Sequence, residues 1–254
     1  MDSSTITTRI LSVTFDTARA EEQVKRIKFR LDKGIPTKIF TPNTQMLISA
    51  AKNKDIRRIL NGSDINLPDG IGPCLAAKRL KKAFPARISG IDSAEAIAAY
   101  AAKKGYSLFL LGGQKGRSRR AARILNAKYP RLKIAGCHNG YFNKQGSDNE
   151  RVLRIINSTR PDILFVCLGF PLQERWILDN FSKIPSLKLA MGLGGSIDVW
   201  SGDVERAPEF YRNMGLEWLW RAIREPRRFR ILPDILRFMI LTEAQKHRFA
   251  DADQ

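Results

Sequence analysis

Pro161-Asp162-Ile163-Leu164-Phe165-Val166-Cys167-Leu168-Gly169-Phe170-Pro171-Leu172-Gln173-Glu174-Arg175-Trp176 changes its period halfway along. Ile163–Leu168 is an apolar run of strand length, Gly169 and Pro171 punctuate it, and 174–181 has helical spacing. The pattern recurs outward in both directions. Strands are expected at Arg9–Asp16, Thr37–Phe40, Asp64–Leu67, Ser107–Leu111, Lys133–Cys137 and Lys188–Met191. Helices are expected between them at 20–33, 44–53, 72–84, 93–104, 117–129 and 149–159. Such alternation specifies an α/β fold, a mainly parallel sheet with helices on both faces.

Parallel sheets bind ligands beyond the carboxyl ends of their strands. Six successive strand-to-helix turns there carry glycine or small polar residues: Thr41-Pro42-Asn43, Pro68-Asp69-Gly70, Gly112-Gly113-Gln114, Gly140-Tyr141-Phe142, Gly169-Phe170-Pro171-Leu172-Gln173 and Gly192-Leu193-Gly194-Gly195. Any one turn can be explained by dihedral and capping needs. Six on one rim point to a ligand mouth.

The chain has 254 residues, 43% hydrophobic, with 44 Lys and Arg against 25 Asp and Glu, a formal charge of +19. That hydrophobic content excludes a disordered chain. The charge draws polyanions, whether nucleic acid, anionic lipid or phosphorylated small molecules. Lys115 to Lys133 hold eight basic residues and no acid, with Tyr129 as the lone aromatic, which suits a solvated or anion-facing surface as well as it suits nucleic acid. Three widely spaced cysteines, Cys74, Cys137 and Cys167, argue against a disulfide framework and fit a reducing compartment. No signal peptide and no apolar run of transmembrane length is present, so a cytoplasmic location is expected.

Beyond Asp203 the composition shifts. Arg221–Arg230 carries five arginines and one acid, after Trp218 and Trp220 and before Ile235, Leu236, Phe238, Met239, Ile240 and Leu241. Pro226 and Pro233 should divide this tail into short helices. It reads as a membrane-surface appendage or as helices packed on the domain with solvated arginines.

The candidate chemistry starts from what is missing. There is no G-x-x-x-x-G-K-[ST], and neither Gly112-Gly113-Gln114-Lys115-Gly116 nor Gly192-Leu193-Gly194-Gly195 has full G-x-G-x-x-G spacing. His138 and His247 are far apart in sequence, and the one D-x-D ends the chain, so no metal or other cofactor is expected. Leu67-Pro68-Asp69-Gly70 reads first as an Asp–Gly turn, but a carboxylate at the ligand edge could also take a proton from an attacking hydroxyl. A nucleic-acid-binding module and a nucleotide-dependent oxidoreductase are two readings these features leave open.

Taken in order, these pieces resemble the WecG/TagA/CpsF glycosyltransferases over residues 10–240. The resemblance is carried by the six turns together with Arg87-Ile88-Ser89-Gly90, Gly194-Gly195-Ser196-Ile197-Asp198, Ser201-Gly202, Arg206-Ala207-Pro208 and Gly215-Leu216-Glu217-Trp218. Leu172 stands where many members have Lys, and Ile197 where Phe is common. The resemblance implies a Rossmann-like domain over 1–203 with a basic helical appendage over 204–254, peripheral on the inner face of the cell membrane. It implies inverting, metal-independent transfer from a UDP-sugar to a polyprenyl-diphosphate-linked acceptor, with an anionic membrane surface as partner, no nucleic acid, and self-association left open. Asp69 would be the general base, and Thr41, Asn43, Arg87 and Gln173 would position donor or acceptor. Gly112, Gly113, Gln114, Tyr141, Gly192 and Gly194 would flank the nucleotide, and Arg206, Arg212, Arg221 and Arg224 would meet diphosphate.

Overall fold

The computed structural model describes residues 7–82, 89–214, 217–224 and 232–252. In chain order the elements begin with β1 (Thr7–Ile10), β2 (Val13–Asp16), α1 (Ala20–Asp32), β3 (Thr37–Phe40), α2 (Thr44–Lys52), α3 (Lys54–Leu60), β4 (Ile65–Asn66) and α4 (Ile71–Arg79). There follow α5 (Gly90–Lys104), β5 (Ser107–Gly112), α6 (Arg117–Lys128), β6 (Lys133–His138), α7 (Gly146–Thr159), β7 (Ile163–Cys167) and α8 (Leu172–Asn180). The last are β8 (Leu189–Gly192), α9 (Ser196–Trp200), α10 (Glu209–Asn213), α11 (Glu217–Arg224) and α12 (Leu232–Ala252). They form two compact units, one of residues 1–23, 41–89 and 207–254, the other of 24–40 and 90–206.

The second unit holds the parallel strands β3, β8, β7, β5 and β6 in that order, with Ile163 of β7 level with both Leu108 and Leu189. Leu108–Leu111, Ile163–Val166 and Leu189–Met191 are all buried, because helices cover both faces of the sheet. Ala121 and Leu125 of α6, Val152 and Ile156 of α7, and Trp176 and Ile177 of α8 supply that cover. This is the expected α/β, Rossmann-like arrangement. β6 lies on one side of β5 and β7 on the other, so the winding reverses between β5 and β7. Ligands of open α/β sheets settle beyond the strand ends at such a reversal.

In the first unit, 9–16 is not the single strand expected. β1 and β2 pair antiparallel, Thr7 opposite Asp16 and Ile10 opposite Val13. Leu11 and Ser12 both take positive φ (45° and 68°), the dihedrals of a two-residue hairpin turn that usually calls for Asn-Gly. Asn53 ends α2 and its Oδ1 accepts from the backbone N–H of Asp55 and Ile56 (2.8 and 3.2 Å), which starts the unforeseen α3.

The tail also differs from the short helices expected. α12 runs for 21 residues because Pro233 falls in its first turn, where no helical N–H is lost. One face of α12 packs on α2 and α4, with Phe238 and Thr242 buried. Arg79 Nε meets Glu243 Oε2 at 2.6 Å, and Gln245 Oε1 accepts from Leu11 N at 2.8 Å. Leu236, Met239 and Ile240 stay exposed on α12. No helix among the described residues is long and apolar enough to cross a membrane.

Candidate active site

The six turns gather as two clusters, one in each unit. In the first unit, Asp69 N–H donates to the Pro42 carbonyl (3.2 Å) and ties Leu67-Pro68-Asp69-Gly70 to Thr41-Pro42-Asn43. Behind them, the first turns of α2 and α4 touch so closely that a Cβ on Gly72 would sit 1.9 Å from Thr44 Oγ1. Any larger residue there would have to displace the Thr44 side chain. Asp69 is half-buried at the entry to α4 and Thr41 is buried. Asn43 caps α2, its Oδ1 accepting from Met46 N (3.2 Å), so its oxygen is committed to the helix and its amide NH2 is the group left for a ligand.

In the second unit, four turns interlock where the winding reverses. Gly113 N–H donates to the Cys167 carbonyl (3.2 Å) and Gly140 N–H to the Gly113 carbonyl (2.8 Å). Gln173, in the first turn of α8, accepts at Oε1 from Gly194 N–H (2.9 Å), and a Cβ on Gly192 would lie 3.2 Å from its Nε2. Gly112, Gly113, Gln173, Gly192 and Gly194 therefore form one cluster. Ile197 packs on Gly113, where an added Cβ would come within 2.6 Å of its Cγ2. Gln114 and Tyr141 lie at the exposed margin; the Gln114 carbonyl accepts from Arg117 N (3.0 Å) and Tyr141 is 74% exposed.

Arg206 belongs to the second unit, and Arg212, Arg221 and Arg224 to the first. Arg206 Nη2 meets Asp92 Oδ1 at 2.6 Å in the second unit. Arg212 is half-buried on α10, and the Arg224 guanidinium lies 4.9 Å from the Trp220 ring centre on α11. Arg221 falls in α11, and its side chain lies outside the described residues, as does the whole of Arg87.

Three features escaped sequence reasoning. Arg117 pairs with Asp198 (2.7 Å) and Asp203 (3.5 Å), and Arg120 also pairs with Asp203, bracing α6 against α9 beside Gly113. Lys144 Nζ donates to the Gly140 and Phe142 carbonyls (2.5 and 2.7 Å), and burial pulls its pKa down. Glu174 is fully buried and its Oε1 accepts from Gln173 Nε2 at 2.7 Å. Burial pushes the Glu174 carboxyl up to about 7, against the smaller opposing effect of the Gln173 hydrogen bond. Its signal in the sequence was an acid directly after Gln173 on a helix whose buried residues include Trp176, Ile177 and Asn180. Among the described residues no three His, Cys, Asp or Glu side chains come together as a metal site would need.

Residues 8–252 match the family described as "Glycosyl transferase WecG/TagA/CpsF family". The chain is 33% identical over 213 residues to the "N-acetylglucosaminyldiphosphoundecaprenol N-acetyl-beta-D-mannosaminyltransferase" of Bacillus subtilis strain 168, covering 84% of this chain and 81% of that protein. It is 31% identical over 252 residues to a protein of the same name from Staphylococcus aureus strain MRSA252, covering 98% and 97%.

Proposed function

Because the chain belongs to the WecG/TagA/CpsF family of glycosyltransferases, we propose that it transfers N-acetylmannosamine, or a closely related hexose, from a UDP-sugar to a polyprenyl-diphosphate-linked saccharide. The observation that carries this reading is the match to the named mannosaminyltransferases over nearly the whole chain, 98% of it against the Staphylococcus aureus protein. The interlocked turns at the sheet reversal in the second unit supply the glycine-lined backbone a diphosphate needs. A family member is an enzyme of glycosyl transfer rather than an oxidoreductase or a non-enzymatic module.

In this reading the acceptor hydroxyl attacks the anomeric carbon opposite the departing UDP, and Asp69 takes its proton as the new bond forms, inverting the configuration. Thr41, the Asn43 amide and Arg87 place the acceptor, while Gln173 and the 112–114, 141 and 192–194 turns hold the donor. Arg206, Arg212, Arg221 and Arg224 neutralise diphosphate without a metal. Turnover of a panel of UDP-sugars on a short-chain N-acetylglucosaminyl diphosphate lipid tests the assignment. UDP-N-acetylmannosamine should be consumed at least about tenfold faster than any other, a discrimination of about 1.4 kcal/mol. Transfer from none of them overturns the reading.

The same reading puts the enzyme on an anionic membrane through its tail. Leu236, Met239 and Ile240 on α12, Ile223 on α11, and Phe210 and Met214 at α10 are apolar and exposed, and the tail arginines add attraction to acidic headgroups. Deleting residues after 203 is a poor test, since α12 packs on α2 and α4 and its loss would unmask them. Replacing Leu236, Met239 and Ile240 by Ser should instead cut sedimentation with phosphatidylglycerol vesicles by about tenfold or more, with Tm unchanged to within about 2 °C. Unchanged sedimentation would place the anchor elsewhere.

A further inference from the structure

Gln173 and Glu174 are neighbours on the first turn of α8, and both are buried, Gln173 at 3% exposure and Glu174 at 0%. Burying a carboxyl is costly unless hydrogen bonds repay it. Glu174 Oε1 accepts from Gln173 Nε2, with the residue's own backbone N–H also favouring the carboxylate, and Glu174 Oε2 has no hydrogen-bond partner among the described residues. Packing alone would favour leucine or methionine at 174, so the acid asks for a different account.

Hydrogen-bond polarity supplies one. A backbone N–H can only donate, so the Gly194 N–H, 2.9 Å from the Gln173 amide, must face its oxygen. The amide nitrogen then points to Glu174, and position 174 must accept. Glutamate does so whether ionised or neutral, because one oxygen of either form carries a free lone pair. An apolar residue at 174 would leave the Gln173 N–H buried without an acceptor and the amide free to leave Gly194.

We propose that Glu174 is a positioning residue: by accepting from Gln173 Nε2 it fixes the amide so that Gln173 Oε1 holds Gly194, which keeps the Gly192-Leu193-Gly194 turn in the shape that receives the sugar-nucleotide donor. The proposal rests on the reading above that Gln173 and this turn meet the donor.

The full-length enzyme carrying Gln173→Ala, Glu174→Leu, Glu174→Gln or the Gln173→Ala/Glu174→Leu pair tests it, each variant assayed for kcat, donor KM and Tm. Glu174→Leu should raise donor KM about tenfold with kcat changed less than about threefold, and should melt no lower than the wild type, since a buried carboxyl has been removed. Glu174→Gln, which keeps an acceptor oxygen, should recover most of that loss. The paired variant should be no worse than Gln173→Ala alone, because Glu174 acts only through Gln173. Glu174→Met repeats the measurement should the leucine variant not fold. A purely structural glutamate would lower Tm and leave the KM of the surviving fold unchanged, which overturns the proposal. So do additive losses in the pair, or a glutamine variant as impaired as the leucine one. An impaired Gln173→Ala beside a normal Glu174→Leu sinks the positioning role and leaves the reading of Gln173 standing. A fully active Gln173→Ala sinks both.

Discussion

Asp69→Asn should lower kcat by about 10²–10⁴-fold, the usual contribution of a positioned general base, and leave donor KM within about threefold of the wild type. Asparagine matches aspartate in shape and keeps the backbone N–H that donates to the Pro42 carbonyl, so the clasp between the two turns of the first unit survives. An amide cannot take the acceptor proton. The hydroxyl would then have to attack unassisted, which raises the barrier by about 3–5 kcal/mol. Single-turnover transfer with saturating UDP-sugar isolates this step from product release, and a Tm within about 2 °C of the wild type certifies the fold. Near-normal single-turnover rates in a folded Asp69→Asn protein would move the base elsewhere. A donor KM raised in proportion to the fall in kcat/KM would instead make Asp69 a binding group.

β5, β7 and β8 were legible because they are buried on both faces, so 107–111, 163–168 and 188–191 read as apolar runs and fall within a residue or two of them; β6, the half-exposed edge strand, was legible at 133–137 from its place between the two helical stretches. Helix starts were harder. α5 begins at Gly90 and α7 at Gly146, each three residues before the expected Ser93 and Asn149, because glycine in a first helical turn reads as a break. The hairpin at 7–16 was missed because Leu11-Ser12 carries none of the usual turn chemistry, and the stretch on either side of it is uniformly strand-like. α12 is unbroken because Pro233 stands in its first turn, which the sequence alone does not distinguish from a helix-breaking interior position.

For the candidate site, residue types and turn positions could be read, but pairings could not. Gly112, Gly113, Gln173, Gly192 and Gly194 were singled out as turn residues, and their cluster is knit by hydrogen bonds to specific carbonyls and amides that no spacing rule encodes. Glu174 carried no role because a charged residue on a helix is normally a solvated one, and only its complete burial reverses that expectation. The pairing of Arg206 with Asp92, 114 positions away in sequence, is likewise a contact that no spacing rule encodes.

Gly112→Ala should be the most damaging single methyl in the second unit. Gly112 closes β5 opposite Cys167, at φ 136°, and a Cβ there would lie 2.1 Å from the Cys167 carbonyl oxygen and 2.5 Å from its carbon. Those are backbone atoms, so no rotamer relieves the overlap, and the ends of β5 and β7 must separate. Separation breaks the Gly113 N–H to Cys167 bond and shifts Gly169, whose carbonyl accepts from Gln173 N at the head of α8. Overpacking of about 1–3 kcal/mol adds to backbone strain of about 1–3 kcal/mol, which together lowers Tm by about 4–12 °C. Gly34→Ala is the matched control: φ is also positive (64°), but nothing lies within 4 Å of the added methyl, so strain acts alone. It should lower Tm by only about 2–6 °C and leave UDP binding untouched, whereas Gly112→Ala should weaken UDP binding as well. Equal Tm losses in the two variants would mean that the turns after β5 and β7 do not approach each other as closely as glycine alone permits.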